Sequence, residues 1–414
     1  MILFMKVNKS QYKIAIVSPT PFYYHVPLYR KLARAPEINL TVYYCSDETL
    51  RGEEVKRMYR AKGQMVNEEE LLSGYNFKFL KNYSPFPSYM RWPFGLINLG
   101  IWREIKEGKY DMVILQAWAN LTWWIAFFAC LKFNTPVFFM TDTNILSDLQ
   151  KSRLKIGLRK ILLGKFIFKR TTGFFVSGKA NKQFYKAYGV AERKMLKLPH
   201  WWGYEELLLK VQQLKPEREK LRDSFNIRKT DLVILYAGRF AKEKGLFDLI
   251  DAFSKVVLQE KKLFFVGDGP IRHQLEGRVK QLKLKEIYFT GFQRREILFK
   301  FYTMADALVL PSREEPWGMV VAEATSFSLP VITSSMVGAA LDLIKDGYNG
   351  FIFPAGDSKK LASCIERLIN LPSEERLLFG QRSKETINQW IKSYDPVQQI
   401  LKMLKIVKKR EKFS

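Results

Sequence analysis

The sequence predicts an α/β protein built from two doubly wound, Rossmann-like domains facing each other across a cleft. Three observations predict it. Short apolar runs rich in β-branched and aromatic residues alternate with stretches of helical period, the pattern of parallel sheets covered on both faces. That pattern stops at a polar, strand-free stretch, QQLKPEREKLRDSFNIRKT (212–230), and then starts again. Finally, 414 residues exceed one ordinary core, and a hydrophobic content of 47% is enough for two.

Taken in order, YKIAIVS, NLTVYYC, YDMVILQ, TPVFFMT and TTGFFVS read as the strands of the first sheet. AWANLTWWIAFFACL (117–131) is the most apolar stretch, but it is shorter than the ~20 residues a span needs and contains Asn120 and Thr122. It reads as a buried crossover helix. After the polar stretch, DLVILYAG, KLFFVG, EIYFTG, ADALVLPS and LPVITS read as the strands of the second sheet. DPVQQILKMLKIVKKREKFS is a basic amphipathic helix expected to pack back on the first domain. The expected boundaries are 1–211, 212–385 and 386–414.

The formal net charge is +27. Such an excess favours a polyanionic partner: nucleic acid, an anionic membrane face or phosphate-bearing substrates. Nucleic-acid motifs such as zinc fingers and aromatic RNA-binding signatures are absent, so no specific nucleic acid is expected. A basic nucleic-acid-binding protein is kept as the alternative of another class. Three scattered cysteines, Cys45, Cys130 and Cys364, form neither a disulfide framework nor a zinc pattern. They point to a reducing, cytoplasmic setting. The N-terminus MILFMKVNKSQYK lacks the apolar core of a signal peptide.

In open parallel sheets ligands bind beyond the carboxyl ends of strands, so the loops there hold the candidate residues. GRFAKEKG places Gly238, Arg239 and Lys244 between a strand and a helix. Cations beside a helix N-terminus suit a diphosphate, although solvated surface cations would read the same way. GDGP supplies Gly267, and TGF supplies Gly291 and Phe292; glycines allow close backbone approach to a ligand, and also make plain turns. In PSREEPWGMVVAEA, Glu315 lies in a loop and Glu323 about two turns into a helix starting near Gly318. Carboxylates accept from sugar hydroxyls, and backbone N–H groups at the helix N-terminus would meet a phosphate ester. Both acids also fit ordinary roles near a helix N-terminus.

These residues resemble a known family. PSREEPWGMVVAEA resembles the Pro-Ser-x-x-Glu-x-aromatic-Gly-x4-Glu-Ala signature of retaining family 4 glycosyltransferases, which have the GT-B fold, and GRFAKEKG resembles their Gly-Arg-x4-Lys-Gly loop. The resemblance is dense from about 231 to 370 and thinner before it. It implies an N-terminal acceptor-binding domain and a C-terminal nucleotide-sugar-binding domain. It further implies that Arg239 and Lys244 hold the nucleotide diphosphate, that Glu315 contacts the donor sugar, that Glu323 contacts the ribose, and that Gly318, Met319 and Val320 offer backbone N–H groups near the sugar and phosphate. Two positions depart from the pattern. Ser328 stands at the usual glycine of the Gly-x-Pro-Val-Ile segment, and Asp142 stands where many members carry a histidine.

The expected reaction is transfer of a sugar from a nucleotide-diphosphate sugar to a glycan or lipid-linked acceptor, with retention. A GT-B sugar-nucleotide epimerase is the alternative. The chain has no Asp-x-Asp, so cations would take the place of a metal ion, and neither metal nor cofactor is expected. His25 and Asp142 are candidates on the acceptor side; an aromatic-cluster role for His25 and a helix-capping role for Asp142 fit as well. His200 is read as structural or near the cleft, and His273 as solvated. KSRLKIGLRKILLGKFIFKR (151–170) carries eight cations and no acid. Leu154, Leu158, Ile161, Leu162 and Phe166 recur in it at helical spacing. This suits either a helix lying on an anionic leaflet or one packing its apolar face on its own sheet.

Overall fold

The computed structural model describes residues 11–50, 71–149, 151–198, 203–257 and 260–411. Seven strands form the first sheet: β1 (Tyr12–Ser18), β2 (Ile38–Tyr44), β3 (Asn76–Phe79), β4 (Met112–Gln116), β5 (Val137–Met140), β6 (Gly173–Val176) and β7 (Met195–Lys197). Six form the second: β8 (Leu232–Ala237), β9 (Lys261–Val266), β10 (Ile287–Gly291), β11 (Ala307–Leu310), β12 (Val331–Ser334) and β13 (Gly350–Phe353). The orders are β3-β2-β1-β4-β5-β6-β7 and β10-β9-β8-β11-β12-β13. Neighbouring strands run parallel throughout.

The ten expected strands all form. β3, β7 and β13 were not read from the sequence, for a common reason. β3 is a largely exposed edge strand, β7 has 3 residues, and β13 follows directly on a turn. None shows the long apolar run that marks a strand covered on both faces. β8, by contrast, is buried along its whole length.

The stretch 117–131 gives the helix Leu121–Lys132, with Trp123, Ala126, Phe127, Ala129 and Cys130 buried against the first sheet. Among the described residues no helix is long and apolar enough to cross a membrane. The expected boundary at 211 falls within the helix Tyr204–Leu214, which packs on helices of the second domain, Arg295–Met304 and Met319–Ser326. The one at 386 falls within the helix Ser373–Lys392.

The helix Pro396–Glu411 returns to the first domain and packs on the helix Val26–Ala33. There Lys408 Nζ lies 3.4 Å from Asp111 and 4.3 Å from the ring centre of Tyr12. Ser328 adopts a φ of 60°. Left-handed backbone favours glycine, which is the residue the family pattern has at this position.

Candidate active site

In each sheet the strand order reverses beside its first strand, at β1/β4 and at β8/β11. Ligands of doubly wound sheets bind at such switch points. Because β8 and β11 are paired, the loops that follow them are neighbours. They are also laced together: Arg313 N donates to Glu243 O at 2.7 Å. Gly245, at φ 66°, sits where a Cβ would come within 2.2 Å of Pro311 O.

This lacing brings Lys244 and Glu315 together. Lys244 Nζ lies 2.7 Å from Glu315 Oε2, with the two side chains 16% and 15% exposed. The Ser312 hydroxyl is 3.5 Å from the same oxygen. Glu315 is fixed from its other side by the loop after β12, through Glu315 N to Met336 O (3.2 Å) and Gly338 N to Glu315 O (3.1 Å). Arg239 pairs with Glu243.

Gly318, at φ 94°, opens the helix Met319–Ser326, which has no side-chain cap. The first-turn N–H groups, those of Met319 and Val320 among them, have no partner within the helix and present positive charge at its tip. Glu323 is the fifth residue of this helix, little more than one turn in rather than about two. It is 6% exposed. Its Oε2 accepts from the Tyr302 hydroxyl at 3.0 Å, and Arg295 Nε lies 3.6 Å from Oε1. Burial raises the Glu323 carboxyl above the usual range, against the opposing pull of Arg295 and the Tyr302 hydrogen bond.

Gly238, Gly267 and Gly291 end β8, β9 and β10 side by side. What they accommodate here is one another's backbone. Gly267 N donates to Gly291 O at 2.9 Å, and at φ 140° a Cβ on Gly267 would come within 1.9 Å of Gly238 O. Phe292 follows, half-buried.

On the first domain, Asp142 lies half-buried just past β5. In the short helical turn that follows, Asn144 Oδ1 accepts from Ser147 N at 3.0 Å. Asn144 Nδ2 also donates to Pro316 O at 2.5 Å, which ties the β5 loop to the loop carrying Glu315. His25 precedes the helix Val26–Ala33, its ring 4.5 Å from Tyr24 and 6.1 Å from Tyr29. It belongs to an aromatic cluster at the end of β1. His273 is exposed, and His200 lies outside the described residues.

The domains also meet where Lys179 donates to Asp342 Oδ2 (2.9 Å) and to Leu341 O (2.8 Å). Sequence reasoning missed Glu243, Arg295, Tyr302 and Asn144. Each acts by pairing across loops or elements, and only Glu243, at four residues from Arg239, carries a spacing signal.

The basic stretch forms the helix Arg153–Arg159, continued by the π-helix Lys160–Phe168. Leu163, Ile167 and Phe168 are the residues that pack inward. Leu154, Leu158, Ile161, Leu162 and Phe166 all remain exposed. They therefore do not form the face that packs on the sheet. Arg159 and Lys151 turn to the buried Asp148, which also accepts from the Tyr188 hydroxyl at 2.7 Å.

Residues 217–386 match the family model described as glycosyl transferases group 1. Alpha-D-kanosaminyltransferase of Streptomyces kanamyceticus is 32% identical over 158 residues, 37% of this chain and 40% of that protein. The lipopolysaccharide core biosynthesis glycosyltransferase LpsD of Rhizobium meliloti is 32% identical over 182 residues, 44% of this chain and 52% of that protein. The chain thus matches only about half the length of these relatives, or less. Anabaena HepE, solved with UDP-glucose, superposes with a TM-score of 0.67 at 18% identity, covering 96% of this chain and 99% of that one. The likeness carries the fold: two parallel-sheet, Rossmann-like domains in the GT-B arrangement.

Proposed function

We propose that the protein is a retaining, metal-independent glycosyltransferase. It moves a sugar from a nucleoside-diphosphate sugar to a glycan or lipid-diphosphate-linked acceptor, in synthesis of cell-surface polysaccharide or glycolipid. It works in the cytoplasm at the inner face of the membrane, which it reaches through the stretch 151–170. The observation that carries the transferase reading is the Lys244–Glu315 pair at the β8/β11 switch point, on a loop that ends at an uncapped helix tip. The group 1 match spans that site, and the relatives in lipopolysaccharide synthesis support the substrate class.

In the free protein Glu315 neutralises Lys244. An arriving diphosphate takes over the ammonium, and the released carboxylate accepts from hydroxyls of the donor sugar. Glu323 receives the ribose, and Phe292 with its neighbouring backbone lies on the base side. In the reaction the bond between the anomeric carbon and the β-phosphate oxygen breaks. The acceptor oxygen attacks from the same face, and its proton passes to the departing phosphate oxygen. Lys244, Arg239 and the helix tip at 318–320 stabilise the charge that develops there. Asp142 and His25 face the acceptor, across the contact of Asn144 with Pro316.

The test is to offer UDP-, GDP- and ADP-sugars with a lipid-diphosphate acceptor, measuring nucleoside diphosphate release and the anomeric configuration of the product. Release should require acceptor, survive chelation and give the donor's configuration. Conversion of the sugar nucleotide without acceptor would replace this reading by an epimerase. Near-wild-type turnover in Glu315→Gln would remove that residue from the site.

A further inference from the structure

The exposed apolar residues of the segment 151–168 are not the only apolar surface of the first domain. The loop 82–95, between β3 and the helix Gly100–Gly108, displays Phe86, Trp92 and Phe94 at 63%, 64% and 63% exposure. Tyr83 and Met90 are exposed beside them.

This loop is an ordered structure with a polar base. Asn82 Oδ1 accepts from Ser84 N (3.1 Å) and Ile97 N (2.9 Å), while its Nδ2 donates to Gly95 O (3.0 Å). The Glu48 carboxylate accepts from the Ser88 hydroxyl (3.1 Å) and Tyr89 N (2.9 Å). A scaffold of this kind holds the aromatic rings in water, where soluble monomers seldom gather them. Cations border the rings: Arg91 lies 5.8 Å from the ring centre of Phe86, and Lys81 5.0 Å from that of Tyr83. Aromatic rings with basic neighbours are the composition of a segment seated at the headgroup level of a bilayer.

The loop is also continuous with the basic helix. Pro93 O accepts from Leu121 N at 3.0 Å, at the start of the helix Leu121–Lys132. Along that helix Trp124 meets Phe128 with ring centres 6.4 Å apart, and Phe128 meets Phe166 of the basic segment at 6.5 Å. On its inner side the loop reaches the acceptor face: Tyr89 packs edge-on against Phe22 at 5.4 Å, and Phe22 contacts the His25 ring at 6.1 Å.

We infer that the loop 82–95 is an insertion finger whose Phe86, Trp92 and Phe94 enter an anionic lipid leaflet, while the segment 151–168 lies on its surface. The inference rests on the membrane reading given above and adds a second, chemically different anchor. The basic helix supplies attraction that salt screens; the finger supplies apolar burial that salt does not weaken. A lipid-linked acceptor held in that leaflet would be presented beside Tyr89 and Phe22, next to His25.

The experiment is sedimentation of the full chain with phosphatidylglycerol–phosphatidylcholine vesicles at low and high salt, for wild type and for Phe86→Ser/Trp92→Ser/Phe94→Ser. The wild type should bind at both salt concentrations. The triple variant should bind at low salt and lose about tenfold or more of its affinity at high salt. Brominated acyl chains should quench wild-type fluorescence more than that of Trp92→Phe, a readout that stands even if the triple variant fails to fold. A wild type that binds no vesicles at low salt removes the membrane reading itself. Equal vesicle binding by wild type and triple variant, with equal quenching of wild type and Trp92→Phe, overturns the finger alone. So does a wild-type dimer that the substitutions dissociate, which would assign the patch to a second copy of the chain.

Discussion

Two regions of the molecule, the β8/β11 switch point and the stretch 151–170, treat charge in opposite ways. Around the β8/β11 switch point the cations are answered at short range by carboxylates: Lys244 by Glu315, Arg239 by Glu243, Arg295 by Glu323 and Arg313 by Asp248. In the first half, the stretch 151–170 places eight cations on one segment with no acid, beside exposed leucines and isoleucine. Paired charges in a half-buried loop hold a site in position before its ligand arrives. In that stretch Lys151 and Arg159 turn to Asp148 outside it, and cations gathered beside exposed apolar residues give long-range attraction to a surface. Under the proposed function, the difference separates a donor site built by pair geometry from a docking face built by summed charge.

The largest effect expected from breaking this contrast is at Lys244. Lys244→Met removes the cation that the proposed function sets against the leaving diphosphate and should lower turnover about 10²–10³-fold, with vesicle binding unchanged. Turnover within a factor of about three of wild type would mean that the pair is structural.

The next effect lies in the first half, at an inward-facing charge cluster. Asp148 is 4% exposed and collects Arg159, Lys151 and the Tyr188 hydroxyl. Asp148→Asn should destabilise the protein by about 2–4 kcal/mol in denaturant unfolding, because Arg159 is left half-buried without its carboxylate. A change under about 0.5 kcal/mol would show that Arg159 is held by its aromatic neighbours instead.

The smallest effect concerns Glu323 and depends on pH. Its carboxyl is raised above the ordinary 4.5 mainly by burial, so the folded protein binds this proton more tightly than the unfolded chain. The resulting stabilisation is complete below the ordinary value and is lost as pH rises through the raised one. Glu323→Gln lacks this term, so without nucleotide it should melt about 1–2 °C above wild type at neutral pH. The gain should shrink towards zero near pH 4. A gain independent of pH would place its origin outside the ionisation.

Much of this site was legible before any coordinates. Loops at strand ends must carry the ligand groups of a doubly wound sheet, so Arg239, Lys244, Glu315 and Gly318 could be located from order alone. Ser328, out of place in the family pattern, does adopt the backbone that favours glycine. Other features were not legible. The partners of Glu323, namely Arg295 and Tyr302, come from a different helix. Asn144, which the sequence did not single out, holds the turn after β5 through Ser147 N, because only the backbone path brings its side chain there. The aromatic finger passed unnoticed because its residues show neither helical nor strand period.

By itself the sequence determined the two parallel sheets, the strand-end loops and the apolar stripe of 151–170. These are local properties, set by the period and burial demands of each segment. The tertiary structure decided which charges meet, which glycines serve neighbouring backbone and which apolar residues stay outside. Those outcomes depend on strand order and on packing between segments far apart in the chain. No local pattern encodes the few ångströms that separate an ion pair from two solvated side chains.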